Sequence, residues 1–146
     1  MSRIRHADSS TIIATYDAML QMKISSVISK IGFDDSGVTW VIFDPEKNYP
    51  NTIIGSLLVG TRGSDYGFYD ETKNEIWIST KTIRSGCSEP IMAKRFYFSR
   101  NISSIQPDLL ADVILDEITH FQTSADHGTS KYDNKLKANR EKYYNF

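Results

Sequence analysis

Asp116, Glu117 and His120, with Asp126 and His127 shortly after them, form the one dense group of chemistry-bearing side chains in this sequence. Asp116 and His120 are four residues apart, so on a helix their side chains meet one turn apart. Glu117 and His120 stand at the neighbouring three-residue spacing. A carboxylate oxygen beside an imidazole nitrogen is a donor pair suited to a divalent transition metal. Glu117 falls elsewhere on the helix. At about 100° per residue it shares an arc with Leu110, Val113, Ile114, Ile118 and Phe121, the face that should point into a core. A carboxylate among such side chains is costly unless something compensates it. A metal ion, or the water on one, would compensate it, and so would a buried pair with a cation such as Arg95 or Arg100.

Two ligands at i and i+4 with a glutamate directly after the first is the arrangement of the His-Glu-x-x-His zinc hydrolases. There the ligands hold the ion, and the glutamate takes a proton from metal-bound water. The five residues here are Asp116-Glu117-Ile118-Thr119-His120, with aspartate in the first ligand position. A third ligand is expected just past the helix end, and His127 of Asp126-His127-Gly128 supplies it. Asp126 is an alternative third ligand, because it fits the count His-Glu-x-x-His-x-x-Gly-x-x-Asp, with Thr123 in place of the glycine.

On these residues the chain resembles a small SprT-like zinc metallopeptidase domain, within the broader zincin group. The corresponding pieces are an N-terminal helix over 10–31, strands between 38 and 79, the segment Asp116 to His120, and His127-Gly128. The resemblance implies a zincin-like α+β fold and a Zn2+ cofactor on Asp116, His120 and His127. It further implies a protein or peptide substrate hydrolysed with Glu117 as general base. Two departures stand out. Asp116 replaces the first metal histidine, and the aromatic often found four residues after the His of His-Gly is here Tyr132, five after His127. Two other classes fit the same residues. One is a catalytically degraded zincin-like binding or accessory protein. The other is a structural subunit of a larger, virus-like assembly, with Glu117 paired to a cation.

Several elements must position these groups. Residues 1–8 read as a tail. Ser9 and Ser10 are candidate caps for a helix through Ile12, Ile13, Tyr16, Met19 and Leu20, continuing through Ile24, Val27 and Ile28 to Gly32. Residues 38–43, 52–59, 66–69 and 75–79 read as strands, with a hairpin connection over 70–74. Short connections favour a mostly antiparallel sheet. Within 84–104, Ser85 to Pro90 reads as a loop, and Arg95 to Phe98 as either a strand or the end of a helix. A second helix opens near Ser104 or Gln106 with Pro107 and runs through Phe121, and a basic C-terminal helix covers 131–146.

The 146 residues favour a single domain, and 40% hydrophobic with 24% charged residues places the chain among globular proteins rather than disordered ones. A net charge of -1 argues against a surface built for general nucleic-acid binding. Lys131, Lys135, Lys137, Arg140 and Lys142 form a local basic face. It reads first as a solvated helix side and second as a surface for nucleic acid or an acidic partner. The single cysteine, Cys87, excludes an intrachain disulfide and a Cys-rich zinc ribbon. No apolar run reaches the length of a membrane span, so no membrane partner and a cytoplasmic location are expected. Gly55, Gly60 and Gly63 lack the following Gly-Lys-Ser/Thr of a phosphate loop. Trp40 and Trp77 read as sheet and core packing.

Overall fold

The computed structural model describes residues 2–47, 66–85 and 108–144. The strand expected over 52–59, the glycines at 55, 60 and 63, and most of 84–104 with Cys87, Arg95 and Arg100 lie outside the described residues. So do Ser104, Gln106 and Pro107. The described chain is α+β. Four strands, β1 (Arg3–His6), β2 (Thr39–Phe43), β3 (Gly67–Asp70) and β4 (Glu75–Ser79), accompany four helices. The helices are α1 (Ala14–Ile31), α2 (Thr80–Ser85), α3 (Leu109–Thr123) and α4 (Ser130–Tyr144).

The sheet has the order β1-β2-β4-β3. β3 and β4 form the expected hairpin, turning through Asn74 at a φ of 53°. The other two described pairings, β1 with β2 and β2 with β4, are parallel. The sheet is therefore mixed, and less antiparallel than the connection lengths suggest. The reason lies at the N-terminus. Arg3–His6, expected as tail, forms a strand at the edge of the sheet among the described residues, so α1 becomes the crossover of a β-α-β unit. With residues 1–8 read as tail, the unit lacked its first strand and could not be recognised.

The start of α1 also differs from expectation. Asp8, not Ser9 or Ser10, is the cap, and it caps a short 3-10 turn over Ser9–Thr11 by accepting from the Ser10 amide. The α-helix begins at Ala14. Its core face is Leu20, Ile24, Val27 and Ile31, whereas Ile12, Ile13 and Met19 of the expected apolar face are exposed. Helix α3 starts at Asp108, whose carboxylate accepts from the Ala111 amide and pairs with Lys23 of α1. That places the helix start within a few residues of the Pro107 expectation and ties α3 to α1.

Trp40, Ile42, Ile76 and Ile78 from the sheet meet Leu20, Ile24, Val27, Leu110, Ile114 and Ile118 in one core. Burial of these side chains stabilises the domain by about 1.5–3 kcal/mol each relative to exposure. Gly67 sets how closely α3 approaches the sheet. A Cβ there would lie 2.7 Å from the Trp77 carbonyl oxygen and 2.9 Å from Val113 Cγ1. Only a residue without a side chain lets β3, β4 and α3 meet at this point. Among the described residues no helix is long and apolar enough to cross a membrane.

Candidate metal centre

Helix α3 is buried along most of its length, including the polar positions Asp112, Asp116, Glu117 and Thr119. Its partner α4 is fastened to it by polar contacts. Asn139 donates to Thr119 Oγ1 at 2.9 Å and to Gln122 Oε1 at 2.9 Å, and Tyr144 donates to Asp112 at 2.9 Å. The chain between the two helices turns sharply. Ser124 adopts a left-handed conformation and donates its amide to the His120 carbonyl, and Gly128 has a φ of 91°. That φ favours glycine. Thr129 then closes the turn, donating its hydroxyl to the Asp126 carbonyl and accepting from the Tyr132 amide at the start of α4.

This turn carries His127 back over the end of α3. Three donor atoms converge there. His120 Nε2 lies 3.2 Å from His127 Nε2, His127 Nε2 lies 3.4 Å from Asp116 Oδ1, and His120 Nε2 lies 3.6 Å from Asp116 Oδ1. Asp116, His120 and His127 form the one group of metal-ligating type found among the described residues. The side chains of Asp116 and His120 are 10% and 18% exposed, and that of His127 54%, so the triangle is closed on the helix side and open on the turn side.

The protonation of His120 follows from its second nitrogen. Nδ1 lies 2.9 Å from the Ala125 carbonyl oxygen, which can only accept, so Nδ1 carries the hydrogen. Burial lowers the His120 pKa, opposed by that same hydrogen bond and by the charge of Asp126. Neutral His120 therefore presents the lone pair of Nε2 to His127 Nε2 and the Asp116 carboxylate. A hydrogen on His127 Nε2, donated to either neighbour, or a cation among the three would let these atoms approach as they do.

Glu117 is almost wholly buried, as its place on the apolar arc of α3 predicts. Burial first, and the neighbouring Asp116 carboxylate second, push its pKa well above the usual range. Among the described residues no hydrogen bond or ion pair compensates it. Asp126 is exposed and stands outside the triangle; its backbone carbonyl serves the turn instead. Arg140, counted with the basic face, is buried, which leaves Lys131, Lys137 and Lys142 exposed on α4.

The residue that sequence reasoning missed is Tyr132. Its ring is fully buried, stacks on His120 at 4.6 Å and 29°, and leans on His127 at 4.5 Å and 53°. The signal was present as an aromatic just after His-Gly, but the offset of five residues set it aside. Comparison of the chain with protein-family models, with curated proteins and with solved structures returns no match.

Proposed function

We propose that Asp116, His120 and His127 hold a zinc ion and that the chain is a zinc-dependent hydrolase of minimal zincin type, acting on peptide bonds with Glu117 as general base. The triangle of donor atoms carries the reading. Tetrahedral zinc with bonds of about 2.0–2.1 Å sets its ligand atoms about 3.3 Å apart. Octahedral coordination at similar bond lengths sets them about 2.9 Å apart. The edges of 3.2, 3.4 and 3.6 Å fit the first and exceed the second. Three protein ligands with a fourth position toward solvent is the layout of a catalytic zinc site rather than a structural one.

Asp116 does not count as damage on this reading. Its carboxylate oxygen takes the vertex that a first histidine would fill, and aspartate is an accepted zinc ligand. The hydrogen bond from His120 Nδ1 to the Ala125 carbonyl fixes the ring and its tautomer, as partners of metal-bound histidines do. Bound zinc would supply a Lewis acid and a water of lowered pKa. Glu117 would receive the proton of that water and pass it to the leaving amine. A cation beside Asp116 would offset the Asp116 charge, the second cause of the raised Glu117 pKa, and would so favour the ionised base when the site is filled.

The order of elements, an N-terminal helix, a sheet, then the helix carrying the donors and a His-Gly turn, supports the likeness to SprT-like domains. The test is hydrolysis of an unfolded protein substrate by zinc-loaded protein and by Glu117→Gln. Activity in the parent, with loss of about 100-fold or more in a variant that keeps its zinc, is expected for a general base. Equal rates in the two would remove Glu117 from the mechanism.

A further inference from the structure

Tyr132 is a fully buried member of the hydrophobic core and at the same time borders the metal centre. Its ring covers one face of His120 and lies against His127, and the two imidazoles themselves meet edge to face at 4.8 Å and 74°. Its hydroxyl is buried, and among the described residues it has no hydrogen-bond partner. The three rings come from three successive pieces of chain: His120 from α3, His127 from the turn, and Tyr132 from the first turn of α4, where Thr129 fixes the helix start.

We infer that Tyr132 is a positioning residue of the metal centre, whose ring face holds His120 and His127 in the ligating arrangement before any ion arrives. The inference rests on the zinc reading above and deepens it. Of the three ligands, His127 is the most exposed and sits on a turn rather than on a helix. An imidazole in that position samples several rotamers unless something packs against it. Each rotamer lost on binding lowers affinity, and a ring already held in place loses fewer. The flat face of Tyr132 supplies that contact, and His120, locked by Ala125, supplies the other wall. Phenylalanine could do the same work, because the contact is made by the ring and not by the hydroxyl.

Two measurements test this. The first is proton NMR of the metal-free parent, read as through-space contacts between the Tyr132 ring and the ring protons of His127 and His120. Contacts to both are expected, and their absence overturns the inference whatever the variants do. The second is zinc affinity by competition with a chromophoric chelator for the parent, Tyr132→Phe and Tyr132→Leu. Affinity lowered about 10- to 100-fold in Tyr132→Leu, and changed less than about threefold in Tyr132→Phe, is the expected pattern. A shifted visible spectrum of the cobalt-loaded Tyr132→Leu variant should accompany it, a change that loss of fold stability alone would not produce. A folded Tyr132→Leu that binds zinc as the parent does overturns the positioning role and leaves the metal site standing. A parent that binds no zinc overturns both. If Tyr132→Leu does not fold, Tyr132→Met takes its place in the same comparison.

Discussion

His120 Nδ1 lies 2.9 Å from the carbonyl oxygen of Ala125, and this contact decides which nitrogen of His120 faces Asp116 and His127. The carbonyl belongs to a turn that begins only after α3 has ended at Thr123, so the helix end and the His120 tautomer are set together. In metal-free protein His120 is expected as the Nδ1–H tautomer, titrating below its ordinary value of 6.5 because burial disfavours the imidazolium. Nitrogen-resolved NMR of the histidine rings reads both. An Nε2–H tautomer would contradict the site geometry.

Glu117 gives a pH signature with a definite sign. Its pKa in the folded, metal-free protein is raised above the ordinary 4.5, by burial first and by Asp116 second. A carboxyl with a raised folded pKa contributes its stability in full below the unfolded value. That contribution is lost as the pH rises through the folded value, because the unfolded chain releases the proton first. Metal-free parent should therefore lose stability relative to Glu117→Gln as the pH is raised from 4 toward 8, with the two closest at the acid end. Thermal melts in chelator follow the difference. A gap that shrinks with rising pH would show that the Glu117 carboxylate is compensated.

Gly67→Ala should destabilise the fold by about 1–3 kcal/mol, the usual cost of forcing atoms into a packed site. The added methyl would meet the Trp77 carbonyl and Val113 on α3. Because α3 carries Asp116 and His120, zinc affinity should fall as well. Denaturant titration and chelator competition measure the two effects, and an unchanged midpoint would show that β3 and α3 have slack.

The α3–α4 clasp makes a separate prediction. Asn139→Ala removes two hydrogen bonds, to Thr119 and Gln122, at a buried position. The expected loss is about 1–3 kcal/mol by equilibrium unfolding. A loss below a few tenths would assign the helix pairing to its apolar contacts alone.

Helices α1, α3 and α4, the β3–β4 hairpin and the carboxylate inside the apolar face of α3 were legible in the sequence, because each leaves a local pattern of apolar and turn residues; the short α2 was not expected. What was not legible is non-local. The strand Arg3–His6 is polar at three of its four positions and becomes a strand only by pairing with β2. The parallel pairing of β2 with β4 depends on how the chain between them is routed. At the candidate site the spacing brought Asp116, His120 and His127 forward. His127 was the expected third member and Asp126 the alternative; what spacing alone does not determine is the turn through Ser124 and Gly128, which brings His127 beside Asp116 and His120. Tyr132 stood out in the sequence only as an aromatic at an unexpected offset from His127, because ring stacking between a turn and the next helix leaves no period to read.

The measurement that bears most directly on the account is the metal content of the protein purified without a polyhistidine tag, alongside Asp116→Ala, His120→Ala and His127→Ala. The account predicts one zinc per chain in the parent and loss of tight binding in each folded variant, since every vertex of the triangle is a protein ligand. A parent that takes up no zinc after dialysis against it would contradict the central claim. The three donor atoms would then be held together by a proton on His127.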